Sequence, residues 1–413
     1  MIRRITTFFL LGALGVKSFF VESPFGEYDS DGLFLVTIPI FSWVIIKILR
    51  FYNILEGELL QDLIFFSVFV RFFLIIICNS VFLFIFFLEI CSFLMIFLIL
   101  NLSKDSDKVS SAFFITFFNI LGSMPFFIFF FLLYPRWSEG SALSEALSDR
   151  GLLFFCLRTV LASKLPIFIM HFWLTKAHVR ASGVCSIILA GLTLKLGGFG
   201  FLKFSFFSHP LFLGFSVEGF IFCCIGILVF SMLIVRFFDL KYFVASSSVV
   251  HMGLIMPLYL IGMEGGAISS LLIIVGHGLI SSLMFMLVSL IYENSLNRSF
   301  DYSKSLESFS KIFSFSFYFF FFMNIGVPPF LNFISELFSF FTLLSISLPL
   351  LVVFSRSLLI SCLYLIYCLT KFCFSKFRKF YSFDCCHLLS CRLLFFIPCY
   401  LFLLVFPCFL SLI

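Results

Sequence analysis

Charge is what this sequence has least of. Asp, Glu, Lys and Arg supply 12% of its 413 residues and hydrophobic side chains 62%; the mean hydropathy is +1.20. Such a chain cannot clothe a soluble fold in polar side chains, so a soluble globular protein is excluded and an all-α polytopic membrane protein is implied. Residues 1–413 read as a single transmembrane domain, with no soluble domain and no tandem repeat. The net charge of +6 is small for the length, and the Lys and Arg residues lie mostly at helix ends and connections. No nucleic-acid partner is implied; lipid is.

Other chemistry is missing as well. No cysteine pair has CxxC spacing, which removes the usual iron–sulfur and zinc frameworks. The tail group Cys373, Cys385, Cys386, His387 and Cys391 matches no ligand spacing and reads as coincidence, so no metal is expected. No Gly-Lys-Ser/Thr follows the glycines of residues 194–200, which excludes a phosphate loop. No Ser–His–Asp set has support. The MIRR start leads into an apolar run without a small-residue cleavage site, so it reads as a first membrane helix, not a signal.

Phenylalanine, by contrast, is abundant, at 71 residues, with 14 cysteines beside it. Phe codons are T-rich, so a strongly biased organellar genome explains both. Apolar runs mark spans near 6–21, 33–49, 63–79, 81–101, 112–134, 151–174, 183–204, 211–236, 241–262, 266–292, 348–371 and 393–411. The run 312–347 is too long for one helix and is interrupted by Pro328-Pro329. In all, about 13–14 helices are expected from runs of membrane-spanning length. The segment SEALSDR reads as a short amphipathic turn at the surface, and Lys17, Arg71, Arg158, Lys241 and Arg356 as snorkelling residues near helix ends. Asp239 and Lys241 straddle a helix start and are placed as a surface pair.

Against this background four charges stand alone in apolar sequence: Glu89, Lys164, Lys195 and Glu336. An ionisable group at membrane depth costs about 2.5–3.5 kcal/mol, so it usually faces protein or water and marks a functional path. Burial disfavours the charged form unless a partner or water compensates, which suits groups that exchange protons. The competing reading of any one of them is an ion pair between helices, for instance Glu89 with Lys164. Four histidines join them: His171, His178, His251 and His277. Each either passes protons through its two ring nitrogens or is a hydrogen-bonded structural histidine. A repeat of seven puts Lys164, His171 and His178 on one helical face, but Pro166 argues against one unbroken helix. Gly276 and Gly278 flank His277 and can mark a kink; a metal site from His251 and His277 lacks a third ligand. The glycines of LKLGGFG permit close helix packing.

Several stretches, in order, resemble one family. They are KLPIFIMHFWLTKAHVRASGVCSIILAGLTLKLGGFG (164–200), SSSVVHMGL (246–254), GHGLISSLMFMLVSLIYE (276–293) and NIGVPPFLNFISELF (324–338), with FFLEICSFLMIFLIL around Glu89 placed more loosely. Together they are similar to the antiporter-like subunit 4 family of mitochondrial NADH:ubiquinone oxidoreductase, respiratory complex I. The resemblance implies about 14 helices in two inverted five-helix repeats, each with a broken helix, and Pro166 and Pro328-Pro329 fall where the breaks belong. It divides the chain into N-terminal helices (1–110), a first repeat core with Lys164 and Lys195 (111–210), a second core (211–347) and C-terminal helices (348–413). It implies a row of ionisable groups along the membrane midplane: Glu89, Lys164, Lys195, His251, His277 and Glu336. Glu336 stands where sister subunits 2 and 5 carry lysine, which favours subunit 4.

The resemblance carries further expectations. The chain is a proton-translocating subunit of the H⁺-translocating NADH:ubiquinone reductase, multi-pass in the mitochondrial inner membrane. It binds no cofactor itself; NADH and ubiquinone are used elsewhere in the complex, and subunits 2 and 5 are neighbours. Glu89 pairs with Lys164, which passes its proton through water and histidines to Lys195 and on to Glu336. A stand-alone cation/proton antiporter would use the same row, and a membrane scaffold would need none of it. The sequence departs from the family at Thr175 and Ser182 (usually proline) and Arg180 (usually glutamate), and the stretch before Glu89 is shorter than usual.

Overall fold

A computed structural model describes residues 59–78, 80–103, 106–138, 145–168, 170–204, 213–234, 239–260, 264–295, 299, 311–328, 330–345 and 348–374, with Pro39 and Ser42. The expected spans 6–21 and 393–411, nearly all of 33–49, Lys17, Pro329 and the cluster from Cys385 to Cys391 lie outside these residues. No strand occurs among the described residues; a single antiparallel bridge joins Asp239 to Ser299.

The first helices are α1 (Leu59–Ile77), α2 (Val81–Leu102), α3 (Lys108–Ser138), α4 (Glu145–Lys164) and α5 (Phe172–Arg180). Next comes one continuous rod. It comprises α6 (Gly183–Ile188), a π-helical turn (Leu189–Thr193) and α7 (Leu194–Phe204). The remaining helices are α8 (Leu213–Ile234), α9 (Leu240–Gly253), α10 (Ile255–Leu260), α11 (Glu264–Ser295), α12 (Lys311–Ile325), α13 (Leu331–Leu344) and α14 (Leu348–Phe374). Only a helix closes every backbone hydrogen bond within its own segment, which apolar runs of this length require in lipid.

Among the described residues, five segments are long and apolar enough to cross a membrane: Val81–Leu102, Lys108–Leu132, Gly183–Phe204, Leu240–Tyr259 and Gly265–Tyr292. Shorter apolar helices accompany them at Ile64–Ile77, Ile221–Ile234, Leu331–Leu344 and Leu351–Tyr364. The architecture is therefore all-α and polytopic. Helix α11 lies at its centre, packed by α6, α7, α9, α10, α12 and α13, and its apolar window is 100% buried. Helix α3 is peripheral, with 28% of its window buried. Phe113, Phe117, Ile120, Met124, Ile128 and Phe131 are exposed along one of its faces.

Both expected breaks are present, and each has a local cause. Pro166 has no N–H to continue α4, and turns at residues 165, 166, 168, 170 and 171 precede α5. The span expected at 151–174 is therefore two helices. The carbonyl of Ser163, in the last turn of α4, accepts a hydrogen bond from the indole Nε1 of Trp173 at 3.1 Å, across the break. The second break ends α12 with a Schellman motif: Val327 N donates to Phe322 O and Gly326 N to Met323 O. Gly326 has φ +80°, the left-handed conformation this motif requires and glycine tolerates. Pro328 then prevents the helix from resuming at once.

Some expectations are corrected. SEALSDR is not a separate surface turn; from Glu145 its residues open α4. Arg71 and Arg356 lie inside α1 and α14, roughly two turns or more from either helix end, and not at helix ends. Helix α11 runs unbroken through Gly276 and Gly278. Asp239 caps α9, accepting from Lys241 N at 2.9 Å, while the Lys241 ammonium is buried and donates to Ala181 O at 2.7 Å. The pair expected at the surface is thus an N-cap beside a lysine turned inward. The packing expected of LKLGGFG is found: a Cβ on Gly197 would meet Lys164 Cβ at 3.1 Å, and one on Gly200 would meet Leu161 at 2.5 Å.

Candidate functional site

The isolated charges of the sequence fall into two buried groups. In the first, Lys164 at the end of α4 lies 2.9 Å from Glu89 Oε1 on α2, with both side chains at most 10% exposed. Lys164 Nζ also donates to Asn119 Oδ1 on α3 at 3.0 Å, and Ser92 donates to Glu89 Oε2 at 3.3 Å. Three helices thus meet on one ammonium, which the break at Pro166 leaves at a helix end with no further turn beyond it. Removing one partner of such a pair costs about 3–5 kcal/mol because the other charge is left buried and unmatched.

The second group begins at Lys195, which is wholly buried. Its Nζ donates to Ala190 O, inside the π-helical turn, lies 3.1 Å from Nδ1 of His277 and reaches Ser281 Oγ at 3.4 Å. The widened turn presents a carbonyl towards the amine five residues on, a use typical of π-bulges at functional sites. The rings of His277 and His251 lie with centroids 5.6 Å apart. His251 Nδ1 in turn lies 3.9 Å from Glu336 Oε1 on α13. Four ionisable side chains from α7, α11, α9 and α13 therefore form one row, each next to its neighbour. Gly326, at the second break, packs on Glu336: a Cβ there would meet Oε2 at 3.1 Å.

The other two histidines are placed differently. His178 is fully buried, its ring stacked on Phe285 with centroids 4.3 Å apart and neither ring nitrogen hydrogen-bonded. His171 packs among Phe172, Phe230 and Phe168, with Nδ1 likewise unpartnered. Neither shares a hydrogen bond with Lys164 or Lys195 among the described residues, and the break separates both from the helix that ends at Lys164. Among the described residues no three His, Cys, Asp or Glu side chains group as metal ligands.

Sequence reasoning missed Asn119, the one amide in the apolar run 112–134, because isolated charge was the signal that picked out the others. It also took Lys241 for a surface residue. The departures from the family have local partners. Thr175 Oγ1 donates to Phe172 O at 3.2 Å, Ser182 caps α6 by accepting from Cys185 N, and Arg180 lies 2.7 Å from Asp107.

The fold is widely shared. The archaeal membrane-bound sulfane sulfur reductase complex contains a chain that superposes with TM-score 0.81 at 14% identity, covering 98% of this chain and 89% of that one. A chain of Thermus thermophilus respiratory complex I, solved with bound NADH, gives 0.74 at 16% identity over 89% and 78%. A chain of the Mrp complex of Dietzia gives 0.74 at 15% over 86% and 68%. In sequence, NADH-ubiquinone oxidoreductase chain 4 of Ceratitis capitata is 32% identical over 243 residues, 58% of this chain and 54% of that protein. Its counterpart in Aedes aegypti is 30% identical over 295 residues, 69% and 64%. The match thus spans about half to two thirds of these relatives. A family model described as NADH:quinone oxidoreductase/Mrp antiporter, TM, matches residues 78–361. That segment takes in both breaks and every member of both buried groups, and by it the chain belongs to the NADH:quinone oxidoreductase/Mrp antiporter transmembrane family.

Proposed function

We propose that this chain is a core membrane subunit of respiratory complex I, moving protons across the mitochondrial inner membrane as electrons pass from NADH to ubiquinone. The observation that carries the proposal is the pair of buried polar groups, Glu89–Lys164 and Lys195–His277–His251–Glu336, in one helical bundle. NADH and ubiquinone are handled by other subunits, and this chain holds no cofactor. Its neighbours are the sister subunits 2 and 5 and lipid. Residues 111–210 and 211–347 act as two repeat cores, each with one break.

Chemically, Glu89 and Asn119 hold a proton on Lys164 through an ion pair and a hydrogen bond. Weakening that pair releases the proton towards Lys195, with His171 and His178 beside the path. At Lys195 the amine and His277 Nδ1 are within hydrogen-bond distance, so a proton on one can pass to the other. His251 hands it to Glu336, near the outlet. The stand-alone cation/proton antiporter is the second reading, because the Mrp complex shares this fold. The names of the curated relatives favour complex I, and co-purification with redox subunits decides between the two.

The test is Lys164→Ala, alone and with Glu89→Gln to remove the stranded carboxylate, in membranes where the complex assembles. NADH-driven pumping and uncoupled NADH oxidation are measured together. We expect both to fall in both variants. Normal pumping and oxidation with the complex intact would make Lys164 a structural lysine and overturn the relay.

A further inference from the structure

Between His251 and Glu336 the row contains a gap. His251 Nδ1 and Glu336 Oε1 are 3.9 Å apart, too far for a direct hydrogen bond and far enough that water can join the two groups. Asn332 lies one turn before Glu336 on α13, so the two share a face, and helical side chains lean towards the N-terminus of their own helix. Residues four apart on one helix face are side-chain neighbours, which sets Asn332 beside the Glu336 end of the row. Asn332 is 2% exposed, and neither its Oδ1 nor its Nδ2 has a hydrogen-bond partner. His251 Nε2 is buried and unpartnered as well. Buried polar atoms are normally hydrogen-bonded, so bare ones call for a partner such as ordered water.

The fit of Asn332 against α11 is close. A Cβ on Gly276 would lie 2.6 Å from Asn332 Oδ1 and 3.5 Å from its backbone N. Only a residue without a side chain at 276 lets the amide sit against α11, and the next residue along α11 is His277. Ser335 and Ser339 are buried on the same helix but turn their hydroxyls to carbonyls of their own turns, at Asn332 O and Glu336 O. Asn332 is thus the polar side chain of that face with donor and acceptor both uncommitted.

We propose that Asn332 is a positioning residue that anchors ordered water joining His251 to Glu336, with Gly276 making room for it. This rests on the proton-relay reading above. An amide suits the task because it donates and accepts without titrating, so it orients water and stores no proton itself.

The test uses the assembled complex carrying Asn332→Leu, Asn332→Ser or Glu336→Gln. Asn332→Leu keeps much of the volume but removes both polar atoms; Asn332→Ser keeps a donor and acceptor and leaves space for one more water. We expect Asn332→Leu to lower pumping about tenfold, less than the 10²–10⁴-fold supplied by a proton-transfer group itself. Asn332→Ser should restore most of that loss at equal assembly on native gels. The inference is overturned if Asn332→Leu pumps like the parent while Glu336→Gln does not. It is overturned equally if Leu and Ser variants lose activity only in step with lost assembly, which would make Asn332 a packing residue. Normal pumping in Glu336→Gln would instead sink the relay reading at this end, a result separable from either.

Discussion

Gly326 shows how a single backbone angle can place a carboxylate. Its φ of +80° closes the Schellman motif, and the space where a side chain would stand is filled by Glu336. Gly326→Ala should cost about 1–2 kcal/mol for the left-handed backbone alone and push Glu336 away from His251. The expected outcome is faster thermal inactivation of NADH oxidation together with lower pumping in the surviving complex; unchanged half-lives would contradict it. Glu89, Lys164, Lys195 and Glu336 were readable from sequence because a formal charge in an apolar run is conspicuous. Asn119 and Asn332 were not singled out, since an amide carries no charge and stands out far less. Lys241 was misread because proximity to a helix start does not say whether a side chain turns out to water or inward to Ala181 O.

Among the elements, the breaks were legible and the π-helical turn was not. Proline announces a break by removing a donor, whereas LAGLT contains nothing that interrupts an α-helix. The turn presents the Ala190 carbonyl to the Lys195 amine. A π turn absorbs about one extra residue, so deleting Leu192 should restore ordinary winding, keep Lys195 on the His277 side and withdraw that carbonyl. We expect reduced but detectable assembly on native gels and lowered pumping in the assembled fraction. Pumping at the parental level would show that the amine does not need the carbonyl of the turn.

For the molecule as a whole, hydropathy marked out the helical segments but not their neighbours. Residues 108–132 and 265–292 look alike in composition, with mean hydropathies of 2.0 and 2.3, yet 28% of one window and 100% of the other is buried. Burial here depends on which helix faces meet, information spread over the whole chain. A single cysteine in place of Phe131 should react with a lipid-soluble maleimide, and one in place of Leu287 should not, when labelling is read by mass spectrometry. Equal labelling would refute the placement of α11 at the centre.

The two interrupted helices also differ in how they are fastened. At the first, the Trp173 indole reaches across and donates to Ser163 O, so straightening the break would leave that buried indole N–H without its partner, at about 1–3 kcal/mol. At the second, the Schellman bonds lie within the end of α12, and Phe330 N, at the N-cap of α13, donates to Val327 O at 3.1 Å. The first joint is splinted by a side chain, the second by a backbone bond beside a glycine with wide backbone freedom. Any rearrangement that alternately opens the row to the two sides of the membrane should therefore pivot at Gly326, with the Lys164 end serving as the fixed frame.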